Sequence, residues 1–441
     1  MTRAALLIAA VLGTWISAAA SVAAEKAADR PNLIVILSDD AGYNDFTMHG
    51  GETATPRIDA LAESGVRCTN GYVSGCVCSP SRAGLLTGRY QQRFGHEYNI
   101  PPAYSEVNGL PLTETLFPAM LKEAGYRTIA LGKWHLGYAP KFHPLDRGFT
   151  DYYGFLQGQR SYFPLEKPTR LNQILRDRDP VRPEKFDYMT DHLADEAAKY
   201  IADSKDKPFF IYLAFNATHG PNHATEADLA TTGGKKVPAM TIALDRAVGK
   251  VMDALQENDL TDNTIVFFLN DNGGTPAHDN RPLHGFKGSC WEGGTRVPFV
   301  VSWPAKLPKG KVYDEPVIAL DIASTCLAAA GVEPSGQPLD GVDLTPYLSG
   351  KEAKDPHEAL FWKMGSNWSV RSGDYKLVGG HKEQDGKLQL FNLSKDIAEA
   401  HDIAAEHPEV VKRLHDGYKT WVKTHQATLW APKKGKKASD D

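Results

Sequence analysis

Cysteine is scarce in this chain, with five residues among 441. The count is odd and too low for a disulfide framework, so at least one cysteine needs a separate explanation. A surplus of one charge is missing as well. Against 54 Asp and Glu stand 49 Lys and Arg, a formal charge of −5, which supplies no field for holding a nucleic-acid backbone. Beyond the first residues no apolar run approaches the roughly 18 residues of a membrane span. No internal repeat is found. With 42% hydrophobic and 23% charged residues, the chain is neither disordered nor collagen-like, and it is long enough for two domains.

What is present begins with a leader. Met1-Thr2-Arg3 is basic, the stretch from Ala4 to Ile16 is apolar, and small residues end at Ser21-Val22-Ala23-Ala24. A charged start, a short apolar centre and a small-x-small site describe a cleaved secretory signal peptide over residues 1–24. The mature protein is expected to begin near Glu25, to be periplasmic or secreted, to have no membrane span, and to meet an oxidising compartment.

Short apolar runs then alternate with helical patterns, which predicts an α/β layer structure with a largely parallel sheet. Residues 33–37, 128–131, 209–215 and 264–269 read as strands. Residues 56–64, 116–124, 188–203 and 240–257 read as helices, the first with Thr55 as N-cap and Pro56 at its first position. The stretch 157–185, rich in Arg, Pro and Asp, reads as a long surface loop. A break near 331–346 separates a domain over 25–345 from a subdomain over 346–441. That subdomain reads as a small antiparallel sheet from short strands at 359–363, 368–371, 375–378 and 388–392, one helix over 408–423 and a Lys-rich tail.

The chemistry-bearing residues follow the strands. The four strands run into Ser38-Asp39-Asp40, Gly132-Lys133-Trp134-His135, Asn216-Ala217-Thr218-His219 and Asn270-Asp271-Asn272-Gly273-Gly274. Parallel strands present their carboxyl ends on one edge, so these clusters are expected to converge. Asp39, Asp40, Asp271 and Asn272 supply only oxygen ligands, a donor set that selects Ca²⁺ or Mg²⁺ over Zn²⁺. Ca²⁺ fits better because it accepts 6 to 8 oxygens, and Mg²⁺ stays open. In Cys78-Ser79-Pro80-Ser81-Arg82, Pro80 suits the first turn of a helix, placing Cys78 and Arg82 near its positive N-terminus.

The run Cys78-x-Pro80-Ser81-Arg82, with Leu86-Thr87-Gly88-Arg89 behind it, resembles the signature of type I sulfatases. Gly132-Lys133-Trp134-His135-Leu136-Gly137 is similar to that family's second signature, and 286–298 to its lysine-bearing segment, with Lys287. The resemblance covers nearly the whole mature chain. It implies an alkaline-phosphatase-like sandwich with a large, mostly parallel central sheet and a small C-terminal antiparallel sheet. It also implies conversion of Cys78 to Cα-formylglycine by a formylglycine-generating enzyme, with Asp39, Asp40, Asp271, Asn272 and the modified Cys78 around calcium.

The roles that the resemblance implies are specific. The hydrated aldehyde at Cys78 is the nucleophile, held and acidified by the metal and Arg82 and polarised by Lys133. Asp271 is a candidate to take its proton, and His135 is the base that later ejects sulfate. Lys133 and Lys287 neutralise the sulfuryl oxygens, and His219, with Lys287, protonates the leaving alkoxide. The segment Gly220-Pro221-Asn222-His223 departs from the family's His-x-Pro-His form, and His219 is preferred over His223 for being nearer the strand end.

The expected activity is hydrolysis of a sulfate ester on a sulfated glycan, of the bacterial polysaccharide-degrading kind. A phosphoester or phosphonate monoester hydrolase of the same superfamily and an inactive sulfoglycan-binding homologue stay as alternatives. Candidate substrate contacts are Lys133, His219 and Lys287. To these are added Arg93, His96, Glu97, Tyr98 and Asn99 after the signature, His278, Asn280, Arg281 and His284 before Lys287, and Gln157, Arg160, Tyr162 and Arg170 in the long loop. With Cys78 matured four thiols are left, and Cys76 and Cys290 are the candidate disulfide pair.

Overall fold

Leu33, Val35 and Leu37 point into one apolar cluster while Ile34 and Ile36 point into another. A strand whose alternate residues are all buried lies between two covering layers, which explains the uninterrupted apolar run. The structure is a computed structural model in which residues 30–431 are described. The expected leader and the Lys-rich tail from 433 lie outside them.

Ten strands form the central sheet: Asn32–Ser38 (β1), Val66–Cys68 (β2), Arg127–Lys133 (β3), Asp151–Phe155 (β4), Leu175–Arg176 (β5), Asp179–Pro180 (β6), Phe209–Ala214 (β7), Thr264–Asn270 (β8), Phe299–Ser302 (β9) and Lys311–Tyr313 (β10). Their order is β10-β2-β9-β8-β1-β7-β3-β4-β5-β6. The centre, from β8 to β4, is parallel. Both flanks add antiparallel pairs, β9 against β8 and β5 against β4, so the sheet is mixed but mostly parallel.

Helices Pro56–Glu63 (α1), Met189–Asp203 (α4) and Lys236–Glu257 (α5) cover one face through residues such as Ile58, Leu193 and Leu244. Helices Cys78–Thr87 (α2), Phe117–Glu123 (α3) and Asp321–Ala330 (α6) cover the other through Leu86, Phe117 and Leu327. Pro56 and Pro118 stand in the first turn of α1 and α3, where a missing N–H costs no hydrogen bond. Thr55 precedes α1 as expected, but it caps nothing with its side chain. Its hydroxyl is taken by the Thr47 N–H at 3.0 Å instead.

The stretch 157–185 is a largely exposed loop as expected, with two departures. It contributes β5 and β6 to the sheet edge, and Arg160, Tyr162 and Ile174 are buried. Its other Arg and Asp residues are exposed as expected, and the exception is Arg160, buried against Glu184 at 2.8 Å.

Beyond α6, four antiparallel strands, Leu360–Met364 (β11), Asn367–Ser372 (β12), Tyr375–Gly379 (β13) and Gln389–Asn392 (β14), carry Pro408–Val422 (α7) on one face. Trp362 Nε1 donates to Val73 O at 2.7 Å and Ser369 Oγ to Cys290 O at 2.9 Å, joining this sheet to the larger one. No helix among the described residues is long and apolar enough to cross a membrane.

Candidate active site

β1 and β8 pair in register from Asn32↔Thr264 to Ser38↔Asn270, so the chain leaves both strands side by side at Asp39 and Asp271. The exits are tied together by Asp271 N–H to Ser38 O at 3.0 Å, Asp39 N–H to Ala217 O at 2.8 Å and Thr218 N–H to Asp39 O at 2.7 Å. β3 ends at Lys133 on the same edge, with Gly132 opposite Ala214 of β7. The parallel topology brings the four clusters together as expected.

Cys78 opens α2 and is fully buried. Its sulfur lies 3.3 Å from Lys287 Nζ and 3.5 Å from Asp39 Oδ1. Arg82, one turn along, places Nε 2.8 Å from Asp271 Oδ2 and Nη1 3.0 Å from Lys133 O, with Nη2 3.6 Å from Asp39 Oδ2. Lys133 donates to Asp39 Oδ2, and Lys287 lies 2.7 Å from Asp40 Oδ1. Asn272 Nδ2 donates to Asp40 Oδ1 at 2.8 Å. His219 Nδ1–H donates to Gly220 O at 2.6 Å, which leaves Nε2 toward Asp40 Oδ2 at 3.5 Å. Asp39, Asp40, Cys78 and His219 each present a ligand atom, all within 4.8 Å of one another.

The electrostatics follow from three carboxylates and three cations in a buried volume. Burial pushes the Asp39 carboxyl up, with Cys78 adding to the rise. Burial would do the same to Asp40, but Lys287, His219 and Lys133 outweigh it and hold that carboxyl far below the usual range. Asp271 rises to about 6 through burial and Asp39, against Arg82. The Cys78 thiol falls to about 7: burial and Asp271 oppose ionisation, and Lys133 and Lys287 overcome them. Burial lowers His135 strongly, helped by Lys133 and Arg82. His219 is pushed down by burial, yet Asp40 and Asp39 leave it raised. One histidine is thereby kept neutral and the other favours its proton.

Of the residues in this cluster, Asp40 at φ 63 and His135 at φ 58 hold left-handed backbone without being glycine. Such conformations are uncommon and persist where the surroundings enforce them. Gly158, which the sequence did not single out, lies against the imidazole of His135: a Cβ there would meet Cε1 at 2.7 Å and Nε2 at 2.8 Å. The only available signal was a Gly in a polar stretch after β4.

Other expected contacts have partners within the protein. Arg93 holds Asp340, with Nη2 at 2.6 Å from Oδ1 and Nε at 2.8 Å from Oδ2. Arg281 is exposed and paired with Asp279 at 2.6 Å. His278 is bonded at both ring nitrogens, to Thr218 Oγ1 at 3.0 Å and Thr275 Oγ1 at 2.8 Å. Through Thr218 it braces the segment that carries His219. His96 and Asn99 both hold Ser79, at 2.7 and 3.0 Å, and Glu97 anchors Lys363 and the Gly365 N–H of the C-terminal sheet. Tyr98 O takes the Trp430 indole N–H at 2.9 Å, Asn280 accepts from Gly274, and His284 stacks on Trp291. Tyr162 gives its hydroxyl to Asn216 O and His219 O. His223 lies apart from the cluster, 3.4 Å from Ser161 Oγ.

All five cysteines are buried free thiols. Cys76 and Cys290 are hydrogen-bonded to each other rather than joined as the expected disulfide. The bond from Cys76 lowers Cys290 to about 6, against burial, with His381 assisting.

The donor set fits a hard divalent cation. Asp271 Oδ1 and Asn272 Oδ1 are buried acceptors without a partner among the described residues, and burying such oxygens unpaired costs free energy. Adjoining them, Asp39 and Asp40 supply carboxylates, so oxygen donors outnumber the Cys78 sulfur and the His219 nitrogen.

The family pattern "Sulfatase" matches residues 31–332, and "N-sulphoglucosamine sulphohydrolase, C-terminal" matches 284–423. N-acetylgalactosamine-6-sulfatase of Homo sapiens is 32% identical, over 92% of this chain and 87% of its own. The uncharacterized sulfatase YdeN of Escherichia coli (strain K12) is 29% identical, over 91% of this chain and 87% of its own. The crystal structure of Ps i-CgsB in complex with k-i-k-neocarrahexaose superposes with a TM-score of 0.86 at 34% identity, covering 92% of this chain and 95% of that one. The mixed ten-stranded sheet with its small antiparallel partner is the alkaline-phosphatase-like architecture of these relatives. With this fold, this length of match and these residues at its strand ends, the chain belongs to the sulfatase family and is a sulfuric ester hydrolase.

Proposed function

We propose that the protein removes sulfate from a sulfated carbohydrate, outside the cytoplasm, using formylglycine derived from Cys78 and a calcium ion held by Asp39, Asp40, Asp271 and Asn272. The observation that carries this reading is the burial of Cys78 between Lys287 and Asp39, at 3.3 and 3.5 Å, beside the unpartnered oxygens of Asp271 and Asn272. When present, the two groups supply an oxygen nucleophile that can release sulfate again and a Lewis acid that acidifies it.

The chain's own residues account for the remainder. Three carboxylates, Asp39, Asp40 and Asp271, are balanced by Arg82, Lys133 and Lys287, so a divalent cation leaves the site positive and receptive to an anionic ester. Lys133 and Lys287 lie where they oppose charge on sulfuryl oxygens, and their burial strengthens every such interaction. His219, with Nδ1–H fixed on Gly220 O, directs Nε2 inward as the acid for the leaving oxygen. His135, held neutral, is the base. Arg82 positions Asp271 and the Lys133 backbone rather than substrate.

Peptide mass spectrometry of the Cys78 segment from active protein tests the modification, and unmodified thiol in a fully active preparation contradicts it. A panel of sulfate, phosphate and phosphonate esters tests the reaction, with a much larger rate on phosphorus esters favouring the alternative hydrolase. Dialysis against a strong chelator is expected to remove turnover and lower the melting temperature. Calcium should restore both, and full activity at a metal content below a tenth of the protein would refute the cation site.

Gly158→Ala is expected to lower kcat by about 10 to 100-fold, since a displacement of about 1 Å at a reacting group has effects of that order. The melting temperature should change little, because the crowded atoms belong to one ring. Unchanged kcat would show that His135 has room to move.

A further inference from the structure

Residues 157–185 contain five arginines, and four are committed within the protein. Arg160 pairs with Glu184 at 2.8 Å, Arg176 with Glu196 at 2.7 Å and Arg178 with Asp146 at 2.8 Å, while Arg182 donates to Gln173 Oε1 at 2.9 Å. Arg170 is exposed and touches no carboxylate among the described residues. It lies over the Tyr104 ring, 4.1 Å from the centroid, with Nη2 3.4 Å from the Tyr104 hydroxyl oxygen. That hydroxyl in turn donates to Glu106. A guanidinium stacked on an aromatic face loses little freedom on binding and keeps its other N–H groups for a ligand.

Both members of the pair belong to loops rooted on the reacting cluster. The Arg170 loop passes His135, where Gly158 meets the imidazole, and Gln157 N–H donates to Leu171 O at 3.0 Å. Arg170 therefore neighbours a residue paired directly with the approach to His135. The Tyr104 loop starts beside Cys78, where Asn99 Oδ1 accepts the Ser79 N–H at 3.0 Å. The two loops come from different members of the cluster and meet at this cation and ring.

We propose that Arg170 and Tyr104 form a subsite for the sugar unit next to the one that loses its sulfate, with Arg170 binding a second sulfate on that unit. This rests on the reading of the site as one for sulfated carbohydrate. A planar guanidinium matches two sulfate oxygens at once, which an ammonium does not. Glu106 adds an acceptor suited to a sugar hydroxyl, so the pair fits a sulfated sugar better than a bare anion. The substrate class is then an oligosaccharide sulfated on successive units rather than a singly sulfated sugar.

The test is calorimetric titration of a carrageenan-derived hexasaccharide, sulfated on successive units, into the full-length Cys78→Ser protein, in which turnover is blocked. Adding Arg170→Ala is expected to raise Kd about tenfold or more, and Arg170→Lys to recover only part of the loss. An unchanged Kd, or no binding by the parent, overturns the subsite. With Cys78 intact and matured, Arg170→Ala should hydrolyse 4-nitrocatechol sulfate within about twofold of wild type. An equal loss on that small ester also overturns the subsite, because it would place the effect at the reacting centre. If wild type hydrolyses no sulfate ester at all, the functional reading fails instead, and the calorimetric comparison still decides the subsite.

Discussion

Replacing Cys78 by alanine is expected to remove turnover, by a factor on the order of 10⁴ or more, while the protein keeps its fold. The side chain is fully buried, and its sulfur is hydrogen-bonded with Lys287 and Asp39. Its loss leaves a small cavity, worth about 1 kcal/mol, against a chain with two extensive apolar layers. The electrostatic frame should survive, since Lys287 keeps Asp40 and Arg82 keeps Asp271. Cys78→Ser is expected to be equally inactive, because an unconverted serine would end as a sulfate ester that cannot collapse to release sulfate. The measurement is initial rate on an aryl sulfate beside a thermal melt of the same preparation. Wild-type-like rates from the alanine protein would remove Cys78 from the chemistry.

The site was readable in the sequence because its members follow strands in a parallel sheet, where order along the chain becomes neighbourhood in space. Asp39, Lys133, His219 and Asp271 each stand just past a buried apolar run, and the registers of β1, β7, β8 and β3 bring them together. Residues whose role depends on one packing contact were not readable. Gly158 matters through the ring opposite it, and nothing in its flanking residues reports that. The charged stretch 157–185 read as surface because charge usually means solvent. Four of its arginines are exposed, and only Arg160 turns inward, where Glu184 receives it. Arg93, offered as a substrate contact, is paired with Asp340, an acid across a long separation in sequence.

Lys376→Met is expected to destabilise the protein by about 3 to 5 kcal/mol, the cost of leaving buried charge without its partner. Lys376 on β13 is fully buried and lies 2.8 Å from Glu292 and 2.9 Å from Glu399, both also buried. Glu292 receives further support from Tyr72 at 2.6 Å and Arg296 at 3.2 Å. Burial opposes its ionisation, but Lys376, Arg296 and Arg371 bring it down to about 2. A carboxyl held below its unfolded value of about 4.5 contributes stability above that pH, and the contribution fades as pH falls toward about 2. Glu399 goes the other way, raised to about 7 chiefly by burial, so it opposes folding increasingly as pH rises from about 4.5 to about 7. Without Lys376 both acids lose their nearest cation, and the loss of stability should be larger at pH 8 than at pH 4.5. Glu292 also follows Lys287 closely in the chain, and Gly273 N–H beside Asn272 is held by Gly294 O at 3.1 Å. Loosening Glu292 therefore disturbs both the lysine that faces Cys78 and the backbone that carries Asn272, so kcat should fall along with the urea midpoint. A midpoint unchanged at pH 8 would mean that β13 and the strand-end site are held together by their apolar contacts alone, with the buried charges contributing nothing net.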